Sequence, residues 1–194
     1  MVSKQLTNVE KNSKTLQDFN SWLGTLPHKH KIVVNGNHES NSDWKADTAT
    51  ILSNATFLHA GAAVVEIEGK GSLKIYGTDF HWNAHGKNPY FDLIPTDVDV
   101  LVVHNPPRGL CDSSKGAEGA YKKAGGDPAM LEQLNSRLHP RLVVCGHLHM
   151  AHGRAFKAPP SSHKEKKYPC QIVNAAIAGR GHGIIGFEPE LMVV

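Results

Sequence analysis

The sequence predicts an α/β fold with a β-rich second half, and three observations predict it. Apolar residues recur at helical spacing in a few stretches, Leu16, Phe19, Leu23 and Leu26 being the first. Short β-branched runs lie between the helices, and their continuous apolar character suits strands buried on both faces. Three such runs, before Gly36, before His104 and before Gly146, pass directly into an Asn or His pair in a loop containing glycine or proline.

In order along the chain, Thr15 is placed to cap the first helix with Asp18 three residues on, and Gly24 and Pro27 end it. Lys31 to Val34 reads as a strand that stops at the turn chemistry of Asn35-Gly36-Asn37-His38. A second helix is expected between Asp43 and Ser53. Ala63 to Ile67 and Leu73 to Tyr76, joined by Gly69-Lys70-Gly71, read as a hairpin. Asp99 to Val103 is a buried strand ending at His104. Asp127 and Pro128 form an N-cap and first-turn pair for a helix whose apolar face is Met130, Leu131, Leu134 and Leu138. Arg141 to Cys145 is the next strand and ends at Gly146-His147-Leu148-His149. Shorter strands are expected around Gly153 to Phe156, Gln171 to Asn174 and Ile184 to Phe187. Lys157 to Pro169 reads as an exposed loop, with a basic anion-binding patch at Lys164, Lys166 and Lys167 as its alternative.

Composition narrows the class. The chain has 194 residues, 40% apolar and 20% charged, which are the proportions of one globular domain able to bury a core. Three cysteines without CxxC spacing argue against a disulfide scaffold or a thiolate zinc site, and point to a reducing compartment. Residues 1 to 14 are polar and lack the apolar run of a signal peptide. No stretch is long enough to span a membrane, so a cytoplasmic location is expected. A net charge of +3 gives no support to a nucleic-acid or membrane partner. The unusual count is 13 histidines.

Ligands in open α/β sheets bind outside the carboxyl ends of the strands, where Asn37, His38, His104, His147 and His149 would converge. Imidazole nitrogen suits zinc, iron, nickel and copper, and amide oxygen suits harder divalent ions. The ordered set Gly-Asn-His-Glu at 36 to 39, His104 after an apolar strand, and Gly-His-Leu-His at 146 to 149 resembles the calcineurin-like metallophosphoesterases. Asp18-Phe19-Asn20-Ser21-Trp22-Leu23-Gly24, His104-Asn105-Pro106-Pro107 and Val173-Asn174-Ala175 are similar to the subgroup called metallophosphoesterase-domain-containing proteins. The resemblance covers about Thr15 to Glu188, residues 15 to 194 being read as the domain.

That resemblance implies a four-layer α/β/β/α sandwich and hydrolysis of a phosphodiester by a metal-bound hydroxide between two divalent ions, Mn, Fe or Zn. It implies Asn37, His104 and His147 as ligands of the second metal and His149 as a ligand of the first. His38 would stabilise the phosphate or protonate the leaving oxygen, as the catalytic group. Glu39 would orient the loop. The family's opening strand with Asp-x-His, helix, and strand with Gly-Asp has no counterpart before Thr15, so the domain reads as N-terminally incomplete. The carboxylates that balance two dications are then lacking, and at most one metal is expected. Asp79-Phe80-His81 is literally an Asp-x-His and reads either as a replacement metal site or as an exposed rim loop. Arg108 could hold a substrate phosphate with its guanidinium fork or make a surface salt bridge. Arg180 and His182 could border the site. Cys145 reads as a small buried residue, and Trp22, Trp44 and Trp82 as core or rim packing.

Two functions follow: a phosphoesterase acting on small-molecule phosphodiesters, or a non-catalytic remnant binding at most one metal. With the family's first strands lacking, Lys31 to Val34 would be an open sheet edge, and self-association is expected.

Overall fold

The computed structural model describes residues 8–81, 88–112, 125–161, 165 and 168–178, with side chains described from residue 14 onward. Arg180, His182, Trp82, the lysines 164, 166 and 167, and the strand expected at 184–187 lie outside these residues. Two sheets carry the architecture. β1 (Ile32–Val33) pairs in parallel with β2 (Thr56–Phe57). The larger sheet has six strands: β3 (Gly61–Ile67), β4 (Gly71–Gly77), β5 (Val100–Val102), β6 (Leu142–Cys145), β7 (Gly153–Lys157) and β8 (Cys170–Asn174). Their order is β3-β4-β5-β6-β8-β7. The pairs from β4 to β8 are parallel, and the edge strands β3 and β7 run antiparallel.

The alternation of a pleated strand explains the layering. Tyr76, Leu101, Val143 and Ile172 lie on one face, in a core with Met130, Leu134 and Leu138 from and beyond α3 (Pro128–Ser136). Ile75, Val100, Leu142 and Val173, one residue away in each strand, lie on the other face against Leu58, with Ile32 and Val34 packed there. The outer side of the small sheet is covered by Leu16 and Leu23 of α1 (Asn8–Thr25) and by Trp44 and Leu52, which flank α2 (Thr48–Ile51). Helix, sheet, sheet and helix follow one another, so the chain is an α/β sandwich. Among the described residues no helix is long and apolar enough to cross a membrane.

Some expectations need correction. The first helix starts by Asn8, and Thr15 lies inside it instead of capping it. Residues 8 to 14 contain no glycine or proline, and Glu10, Lys11 and Lys14 are good helix formers, so nothing halts the helix at Thr15. Trp22 is 53% exposed and stacks on Phe19 at 5.6 Å between ring centroids, on the solvent side of α1. The cap at Asp127 is as the sequence indicates: its Oδ1 accepts from the N–H groups of Ala129 (2.8 Å) and Met130 (3.2 Å).

Candidate metal centre at the strand ends

Sheet register brings the site residues together. Gly77, Val102 and Val144 occupy one row across β4, β5 and β6, so the chain leaves all three strands at the same level. Past that row, Val103 N–H donates to Val144 O at 3.0 Å and Gly146 N–H to His104 O at 2.9 Å. These bonds set His104 beside His147. On the small sheet, the end of β1 is tied to the extension of β4 by Phe80 N–H donating to Asn35 O at 2.9 Å.

The loop after β1 is a tight turn. Gly36 N–H donates to the Glu39 carboxylate at 3.0 Å, and Ser40 N–H returns to Gly36 O at 3.0 Å. A side chain at position 36 would collide with His104, its Cβ falling 2.7 Å from Cε1 of the ring, so glycine is what lets this backbone approach. His147 follows Gly146 in the left-handed region at φ 63°, an uncommon conformation outside glycine that Ala60 and Cys111 also adopt.

Three donor atoms converge as a result. His104 Nε2 lies 2.8 Å from Asn37 Oδ1 and 3.0 Å from His147 Nδ1, and His147 Nδ1 lies 3.2 Å from Asn37 Oδ1. Phe80 backs both rings, edge-on to His104 at 5.4 Å and tilted on His147 at 5.6 Å. Burial, then the neighbouring rings of His147, His38 and His149, lowers the His104 pKa to about 4. Burial, then His149 and His38, lowers that of His147 as well. Both rings are therefore neutral near pH 7, with lone pairs available to a cation. Donors about 2.1 Å from one ion and at right angles are about 3 Å apart, so the triangle has the spacing of three ligands on one face of an ion. The set is uncharged. Among the described residues, no group of three or more His, Cys, Asp or Glu side chains could hold a metal ion.

The remaining predicted residues sit around this triangle. His38 and His149 are exposed, and their rings are close enough to act electrostatically on both central imidazoles. Arg108 is exposed, its backbone N–H held by Asp127 O at 3.0 Å. Cys145 is a buried strand-end thiol whose pKa burial pushes up, which suits packing better than nucleophilic attack. His38 and Glu39 also border a groove of about 510 Å³ whose walls include Leu16, Phe19, Val34 and Trp44.

Asp79 departs from both of its sequence readings. It is 2% exposed, so it is no rim loop, and its carboxylate binds Asn35 and His59. Sequence reasoning missed this role, although Thr78-Asp79 follows a strand end just as the histidines do. Asn174, fully buried, holds the far side: Nδ2 donates to Leu148 O at 3.0 Å and to Cys111 O at 3.2 Å, anchoring the loop between His147 and His149.

Comparison with known proteins identifies the family. The calcineurin-like phosphoesterase family model matches residues 8–151. A Caenorhabditis elegans UPF0046 protein is 31% identical over 164 residues, covering 70% of this chain and 55% of the relative. Human metallophosphoesterase domain-containing protein 1 is 29% identical over 174 residues, covering 71% and 50%. The chain thus spans about half the length of the curated relatives it matches. A solved crystal structure superposes with a TM-score of 0.55 over 87% of this chain and 65% of that one, at 18% identity, and so shares the fold. With strand-end histidines, sandwich layers and family model in accord, the chain belongs to the calcineurin-like phosphoesterase family.

Proposed function

We propose that this chain hydrolyses small-molecule phosphodiesters with a divalent metal ion held by Asn37, His104 and His147. The observation that carries the reading is the triangle of three neutral donor atoms separated by 2.8 to 3.2 Å. When bound, a divalent ion supplies electrophilic stabilisation of the phosphoryl oxygens and activates water. The chain's own residues do the rest. Asn37, His104 and His147 fix the position of the reacting centre from short turns that backbone hydrogen bonds tie to the neighbouring strands. His38, exposed beside the triangle, donates a hydrogen bond or a proton to the departing oxygen. His149 offers a further imidazole on the same rim, and Arg108 is within the adjoining turn as a candidate for phosphate binding. The apolar groove next to His38 suits an aromatic or alkyl ester group. A net charge of +3 is too small to argue for a nucleic-acid substrate, and a cytoplasmic location is part of the same proposal.

A second reading is favoured by one observation, the absence of charge in the donor set. Neutral ligands suffice for one ion but not for a close pair of dications, which would leave a protein that binds one metal without turnover. Hydrolysis of an aryl phosphodiester with added manganese, measured beside metal content, separates the two. Manganese-dependent turnover that His104→Ala abolishes is the expected result. One bound metal with no turnover supports the second reading, and neither metal nor turnover overturns the proposal.

A further inference from the structure

We propose that Asp79 is a positioning residue for the Asn37, His104 and His147 triangle, acting through Asn35 and shielded by His59. The inference builds on the metal-centre reading above, but its physical basis is independent of any metal.

A carboxylate buried to 2% exposure is costly unless its lone pairs are filled. Those of Asp79 are filled by one loop residue and one rim histidine. Oδ1 accepts the backbone N–H of Asn35 at 2.9 Å. Oδ2 accepts the Asn35 side-chain amide at 3.3 Å and meets His59 Nδ1 at 2.7 Å. The next residue closes the grip, since Phe80 N–H donates to Asn35 O at 2.9 Å. Asn35 is thus held by its N–H, its C=O and its side chain from residues 79 and 80, the side-chain amide also donating to Thr48 Oγ1 at 3.4 Å. The exit of the loop is held as well, by Ser40 Oγ–H donating to Phe80 O at 3.0 Å.

β1 ends at Val33, so the Asn35 N–H lies past the pairing of β1 with β2 and is not needed to build the small sheet. What it does fix is the direction in which the chain enters Gly36 and Asn37. Asn37 Oδ1 then reaches both imidazoles, while the Phe80 ring supports them from behind. The task calls for a carboxylate because an acceptor-only group can take donors on both oxygens. An asparagine at 79 would turn an N–H toward a second donor on one side. His59, half-exposed and edge-on to Tyr90 at 5.2 Å, covers the carboxylate from solvent.

The test uses the full chain labelled with nitrogen-15 and free of metal, then titrated with manganese. Asp79→Asn is compared with Ile172→Val, a core truncation on the opposite face of the large sheet. Asp79→Asn is expected to speed exchange of the Asn35 amide at least about tenfold and to move the ring-nitrogen resonances of His104 and His147. Manganese affinity should fall about tenfold, the lower end of what outer supporting groups contribute at metal sites. Ile172→Val should lower thermal stability while leaving resonances and affinity in place. Should Asp79→Asn fail to fold, His59→Ala removes the shortest contact to the same carboxylate from the surface and is expected to change the same readouts in the same direction. Unchanged ring resonances in whichever variant folds would overturn the proposal. If the native chain binds no manganese, the metal reading fails, and the metal-free resonances and exchange rates still decide for or against Asp79.

Discussion

Gly36→Ala is the sharpest test of the strand-end geometry. The added Cβ would lie 2.7 Å from His104 Cε1, 2.9 Å from Glu39 Oε2 and 3.0 Å from His104 Nδ1. Ordinary carbon contacts are about 3.5–4.0 Å, so the ring must retreat by about 1 Å. Its room to move is small, because Nε2, the neighbour of Cε1 in the ring, already meets Asn37 and His147 at 2.8 and 3.0 Å and Phe80 stands against the ring. Overpacking of this kind costs about 1–3 kcal/mol, which for a domain of this size lowers Tm by about 2–12 °C. Misplacing a reacting group by about 1 Å can cost about a hundredfold in rate. Gly146→Ala is the matched control, since a Cβ there meets no atom within 4 Å, although it is the immediate neighbour of His147. Thermal unfolding and manganese-dependent hydrolysis of an aryl phosphodiester are measured for both variants. Gly146→Ala should stay within about 0.5 kcal/mol of the parent and keep its activity. If the two alanine variants behave alike, the claim that Gly36 is required by the position of His104 is wrong.

Three further outcomes are expected. The folded His104 pKa lies below that of the unfolded chain, so the native state binds fewer protons between about pH 6.5 and 4. Stability is retained above that window and falls as pH drops through it, by about 1.4 kcal/mol per pH unit at most, and urea unfolding of His104→Gln should show a flatter profile. Asp127→Ala removes the acceptor for two N–H groups of α3 and should cost about 1 kcal/mol, read as a fall in Tm of about 2–4 °C with metal affinity unchanged. Among the described residues β1 pairs only with β2, so we propose self-association through its other edge, to be read in sedimentation velocity as a concentration-dependent rise in mass; a monodisperse monomer across the range would count against it.

Much of the fold could be read from residue order because its signals are local. Three apolar strands ending in Asn or His carry their own marks, and Asp127-Pro128 declares its helix in two residues. The triangle was legible for the same reason, each member lying within four residues of a strand end. Other features depend on distant partners. β2 is only two residues long and exists because Lys31 O and Val33 O accept from Thr56 and Leu58. The burial of Asp79 is decided by Asn35, 44 positions away, and no local pattern distinguishes Thr78-Asp79 from an ordinary polar turn. Helix α1 shows the converse, a local capping signal at Thr15 overridden because no breaker precedes it.

The left-handed backbone of His147 sets two demands on one position. Glycine would relax it, since φ near 60° carries no penalty without a Cβ, yet glycine has no imidazole to offer. A scan of variants by thermal stability and a scan by catalysis should therefore rank His147→Gly in opposite directions. Ala60 and Cys111 share this left-handed backbone, so what sets position 147 apart is the imidazole it carries toward Asn37 and His104.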